Sequence, residues 1–208
     1  MRPNYCMDAP PTSIEVGGFA YPCETDFRVW LGVLHLLKQI DLRIETDEDL
    51  ARLTGQMMDI QEMVFGGVLE DENPVEVLRA ISEFSKGYPS APMSSAGTSD
   101  APTFSFEYDL NEIIIAIRNQ SGIDLSYRRK EPFHWWEFLL EFHTLCGSHY
   151  ILNLMETRGY KGKDKEMLRR KYACALPNEY TAKEQAENEA FLAMFDAHEE
   201  AEEEEDNE

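Results

Sequence analysis

The stretch Pro132–Gly147, PFHWWEFLLEFHTLCG, constrains this chain more than any other. On a helix the side chains turn by about 100° per residue. His134, Glu137, Glu141 and Thr144 then share one polar strip, about 80° wide, and apolar side chains cover most of the remaining arc. A surface helix needs one apolar face. A helix apolar over most of its circumference has to be surrounded by others, so the stretch predicts a buried central helix. Pro132 suits the first helical position and Gly147 the stop. Trp136 and Phe133 are expected in the core. A tryptophan left exposed would instead be an anchor for a partner, since Trp is favoured at interface hot spots.

The remaining chain supplies the surroundings. Residues 1–13 hold three prolines and read as a flexible N-terminal arm. Ile14–Val16 and Phe19–Tyr21 are β-prone runs, and Gly17-Gly18 between them can supply the positive φ angles of a tight hairpin turn. Thr25 is placed to cap a first helix, with Asp26 at its positive end. Phe27, Trp30, Leu31, Leu34 and Leu37 form its apolar face, with Arg28 just outside it. Thr46 opens a second helix, whose stripe is Leu50, Leu53, Met57 and Ile60 and which Gly55 could interrupt. Asn73-Pro74 starts a third, with Leu78, Ile81 and Phe84 inside. Residues 88–103 are small, polar and Pro-rich, as expected of a flexible loop. Asp109 and Glu112 fit a capping box ahead of Ile113, Ile114 and Ile117, where a strand is the alternative because β-branched residues weaken a helix. Two amphipathic helices follow, bending at Gly159–Lys163, and Thr181 with Glu184 marks a last one. The expected fold class is mainly α: a helical bundle-like domain over 14–177 with a small N-terminal β-hairpin, then a C-terminal helix and disordered acidic tail over 178–208.

Charge narrows the function. The net charge is −21, and Lys183–Glu208 alone holds one lysine against twelve acids. A field of that sign repels phosphate, so a broad nucleic-acid face is excluded. The basic stretch Arg158–Lys171 reads as a solvated helix face, or as a partner for the acidic tail. No apolar run approaches the roughly 20 residues needed to span a bilayer. Cys6, Cys23, Cys146 and Cys174 form no CxxC pair and read as reduced thiols in a reducing compartment.

Catalytic chemistry finds little support. His143, Cys146 and His149 tempt a metal assignment. On one helix the two histidines lie about 120° apart, too far round for one ion. Cys146 beside His143 on an apolar helix face has no reason to ionise, because burial raises a thiol pKa. No nucleophile elbow, phosphate-binding loop or zinc-protease motif is present. The expectation is a non-enzyme without cofactor or metal.

Four linked pieces identify something more specific. Thr25, Asp26, Phe27, Arg28 and Trp30 follow the hairpin as TDFRVW. FSFEYDLNEIIIAIRNQSGIDL spans 104–125. His134, Trp135 and Trp136 begin the central helix. KGKDKEMLRRKYACALP closes the set at 161–177. In this order and spacing the chain resembles the bacteriophage gene-product-fifteen family of phages and prophages of Gram-positive bacteria, over roughly Ile14 to Pro177. The arm before Ile14, the linker and the glutamate tail are particular to this chain. The resemblance implies a morphogenesis protein encoded among tail genes, most simply a tail assembly chaperone that coats the tape-measure protein. The alternative it leaves open is a minor virion structural or head–tail joining component. It implies phage tail proteins as partners, with self-association also open, and residence in the host cytoplasm during assembly. Phe27, Arg28, Trp30, His134, Trp135 and Trp136 are then the candidate fold-signature or partner-binding residues.

Overall fold

The computed structural model describes residues 8–40, 45–88 and 102–177. Cys6, most of the expected loop (89–101), the helix expected at Thr181 and the acidic tail lie outside them. The described residues form seven helices and one two-stranded antiparallel sheet. They fall into two compact units. The first lies within Met1–Ser94 and Ile117–Leu145, the second within Ser95–Ala116 and Cys146–Glu208.

The first unit begins with β1 (Ser13–Val16) and β2 (Phe19–Pro22), paired in the register Val16↔Phe19, Ile14↔Tyr21. Gly17 and Gly18 take φ angles of 58° and 87°, which side chains other than glycine resist. Ile14 and Val16 are buried while Glu15 between them is exposed, the period-2 pattern of a half-buried strand. Next, α1 (Phe27–Gln39) packs against α2 (Asp47–Phe65), and α3 (Pro74–Phe84) packs against β1 and α2. A capping box between Thr46 and Asp49 starts α2, and the Asn73 side chain with Pro74 starts α3.

Several expectations shift by a residue or two. Asp26, not Thr25, caps α1 by accepting from the Arg28 amide. Val33 and Val77 are fully buried, while Leu34 and Leu78 are half-buried. On α2 the buried line runs Leu53–Ile60–Val64, Leu50 is 50% exposed, and the helix continues through Gly55. The central helix α5 is shorter than its pattern suggests, only Trp135–His143. Pro132 precedes it in an extended segment, and His134 is its cap.

The helix α4 (Leu110–Ser121) is divided between the units at Ala116–Ile117. The β-branched run is therefore helical, with Ile113 and Ile117 fully buried. In the second unit α6 (Tyr150–Arg158) packs on α7 (Lys165–Ala173). Arg158 corrects the reading of its stretch as solvated. Its side chain is only 10% exposed and grips Asp109, itself 5% exposed, with Nη1–Oδ2 and Nη2–Oδ1 distances of 2.7 and 3.0 Å. It also donates to the carbonyls of Thr103 and Cys174. The Asp109 carboxylate further accepts from the Ser105 amide. Paired and hydrogen-bonded in this way, the two charges are satisfied where unpaired ones would be costly.

Candidate functional site

All six singled-out residues belong to the first unit, and the structure brings them together. The organising feature is an antiparallel bridge between Asp26 and His134, the caps of α1 and α5. The Phe27 amide donates to the Phe133 carbonyl at 2.9 Å, and the Trp135 amide to the Thr25 carbonyl at 2.7 Å. Each cap then turns inward on its own helix. Asp26 Oδ1 accepts from the Arg28 amide at 2.9 Å, and His134 Nδ1 accepts from the Trp136 amide at 3.0 Å. Two helix starts remote in sequence are thus tied side by side, each with an orphan N–H satisfied.

The tautomer of His134 follows from its partners. Nδ1 is an acceptor, so it carries no proton. Nε2 lies 2.9 Å from the Pro11 carbonyl, which can only accept, so Nε2 carries the hydrogen. The ring therefore ties the end of the N-terminal arm to α5. Burial lowers its pKa below the ordinary histidine value, against smaller opposing effects from the Pro11 bond and Glu137.

Arg28 stays on the surface. Its guanidinium holds Asp26 through Nε–Oδ1 (2.9 Å) and Nη2–Oδ2 (2.5 Å), and Nη1 reaches the Arg129 carbonyl at 3.1 Å. Burial alone would raise the Asp26 pKa, but the Arg28 side-chain and amide hydrogen bonds outweigh it and hold the carboxyl below its usual range. Arg28 thus ties the segment leading into α5 to the start of α1.

The tryptophans explain why two stand together. Trp135 is fully buried and Trp136 is 7% exposed. Trp135 Nε1 donates to the Ser85 carbonyl and Trp136 Nε1 to the Phe84 carbonyl, both at 2.9 Å. Those carbonyls lie at the end of α3, where the helix runs out of amide donors; the Phe84 carbonyl is shared with the Gly87 amide at 3.2 Å. Trp30 Nε1 does the same for Glu24 at 2.7 Å, and the Glu24 amide caps the Val64 carbonyl near the end of α2. The rings interlock as well. Trp30 stacks on Phe84 (4.7 Å) and Trp135 (6.4 Å), and Phe27 stacks on Phe138 (4.8 Å). Such pairs are worth about 0.5–1.5 kcal/mol beyond area burial. Gly87, at φ 75°, lets the chain leave α3 against Leu139, whose Cδ1 would stand 2.7 Å from an added Cβ.

Phe27, Trp30, Trp135 and Trp136 are therefore core, and Arg28 and His134 are the ties around it. The sequence signalled the cluster through adjacent tryptophans. It gave no sign of the acceptors, Glu24, Phe84 and Ser85.

The remaining chemistry is sparse. His143 ends α5, Cys146 is exposed beyond the helix rather than on its apolar face, and His149 caps α6 without a side-chain bond. Burial pushes the Cys23 thiol up to about 12, far from a nucleophile's range. Among the described residues no group of three or more His, Cys, Asp or Glu side chains could hold a metal ion. None of their helices is long and apolar enough to cross a membrane.

A groove of about 940 Å³ lies between β1 and α3 of this unit. It is lined by β1, by Glu76, Arg79 and Glu83 of α3, and by Phe84, Tyr88 and Trp136. A family model described as Bacteriophage Gp15 protein matches residues 7–181 of the 208. No curated protein and no solved structure matches the chain.

Proposed function

Because the chain belongs to the Bacteriophage Gp15 protein family, and so is a phage morphogenesis or structural protein, we propose that it is a tail assembly chaperone for the tape-measure protein. The observation that carries this reading is the family match across most of the chain. Two physical features support it. A net charge of −21 would keep a complex with an apolar partner in solution. Apolar side chains also stand exposed outside the aromatic core, among them Phe19 (68%), Tyr127 (87%) and Tyr150 (66%). In this reading the protein acts by binding other phage proteins, does no catalysis, and works in the host cytoplasm during assembly.

Co-expression with the tape-measure protein of the same phage tests it. The chaperone reading expects a recoverable complex and more soluble tape-measure protein. Phe19→Ser, Tyr127→Ser and Tyr150→Ser should together weaken that complex while leaving the buried tryptophans unperturbed. No complex and no gain in solubility would refute it. Mass spectrometry of purified particles separates the rival: a chaperone is absent from virions, whereas a minor structural or joining protein appears at fixed copy number.

A further inference from the structure

We infer that the groove between β1 and α3 accepts an extended peptide that joins the hairpin as a third strand, with apolar and basic side chains alternating. The site does not depend on which phage protein supplies the peptide.

Among the described residues the hairpin leaves one edge of β1 open. Val16 faces Phe19 across a two-residue turn, so these two exchange backbone bonds, as do Ile14 and Tyr21. The Cys23 amide bonded to the Thr12 carbonyl continues that alternation. Ser13 and Glu15 must then turn their N–H and C=O groups to the other edge. Among the described residues β1 pairs only with β2, and no β2 residue lines the groove. The groove therefore meets the open edge of β1. An unpaired edge beside a helix is the setting in which an added strand supplies main-chain bonds and pockets for alternate side chains.

The pleat of β1 sets the side chains an added strand needs. An added strand keeps the pleat of its neighbour. One of its faces continues the buried side of Ile14 and Val16, toward Phe84, Tyr88 and Trp136. That face asks for apolar residues. Its other face continues the exposed side of Glu15. The rim carries Glu15, Glu76 and Glu83 against Arg79 and Lys86, and Lys86 already holds Glu83 at 2.5 Å. Glu15 and Glu76 are left against Arg79, so the complement is basic. A second copy of this chain fits less well, since it brings the same net charge of −21.

The test is hydrogen exchange on the full chain with a capped octapeptide of four Lys-Val repeats, compared with its Glu-Val counterpart. Peptide binding should slow the Ser13 and Glu15 amides by about tenfold or more, and leave Ile14 and Val16, already bonded to β2, nearly unchanged. The Glu-Val peptide should protect them less. Glu15→Pro removes one outward N–H at an edge that tolerates proline, and should abolish the effect. Glu15→Lys with Glu76→Lys, which leaves every hairpin backbone bond in place, should reverse the preference between the peptides. No protection up to millimolar peptide overturns the proposal, as does equal protection by both peptides. Protection of Ser13 and Glu15 without peptide also overturns it, pointing to a second copy if it depends on protein concentration and to the chain's own residues if it does not.

Discussion

Arg158→Met should open the second unit while leaving the first intact. The substitution keeps an unbranched side chain of similar reach and removes the guanidinium. Two bonds to Asp109 are lost, along with those to Thr103 and Cys174. Breaking a buried pair by deleting one member costs about 3–5 kcal/mol. The lower end applies here, because the Ser105 amide still donates to the Asp109 carboxylate. About 3 kcal/mol corresponds to roughly a hundredfold change in an opening equilibrium. Tryptophan fluorescence has no reporter there, since Trp30, Trp135 and Trp136 all lie in the first unit. Amide exchange sees it directly. The Ile113 amide, bonded to the Asp109 carbonyl, and the Cys174 amide, bonded to the Arg170 carbonyl, should exchange about a hundredfold faster. Adding Asp109→Asn to Arg158→Met removes the stranded charge and should recover part of the loss. Exchange within about threefold of the parent at both amides would refute the argument that this pair holds the unit together.

Four further outcomes are expected. His134→Ala should lose an N-cap and the Pro11 bond, about 2 kcal/mol in urea unfolding followed by tryptophan fluorescence, and His134→Asn should retain the capping share. Because the folded-state pKa of His134 lies below its unfolded value of about 6.5, the unfolded chain takes up the proton first, so stability is full above that pH and falls as pH drops toward the folded value; the slope should shrink in His134→Asn. Trp135→Phe should cost about 1–3 kcal/mol, read from urea midpoints, since it takes the indole donor from the Ser85 carbonyl, and Trp136→Phe should cost less, since the Phe84 carbonyl keeps the Gly87 amide. At pH 8 a thiol with a pKa of about 12 is ionised in roughly one molecule in ten thousand, so a maleimide followed by peptide mapping should label exposed Cys146 well before Cys23.

Local chemistry was legible in the sequence and partner choice was not. Asn73-Pro74, Thr46 and the paired glycines each satisfy their own backbone within a few residues, so their roles could be read in place. Periodicity located the helix faces but not their edges, because Val33 and Leu34, or Val77 and Leu78, fit one stripe equally well. The start of α5 was misplaced because proline is a familiar first residue and histidine an uncommon cap. What makes His134 a cap is Pro11, which holds the other ring nitrogen from far along the chain. Arg158 sits in a basic run and reads as solvated until Asp109 is found 49 residues away. The adjacent tryptophans marked the core correctly as a cluster, yet their purpose lies in carbonyls of another helix.

The bridge at Asp26 and His134 also sets the order in which a newly made chain can finish folding. Arg28 and Arg129, beside that bridge, are 101 residues apart, and closing a loop of that length costs about 4 kcal/mol of chain entropy before any contact repays it. Until α5 has left the ribosome, the hairpin and the first three helices lack Trp135, Trp136, Phe138 and Phe142, and the ring faces of Trp30 and Phe84 have no cover from them. A nascent chain halted before residue 132 should therefore present an unsealed aromatic surface, one that host folding factors can hold until translation resumes.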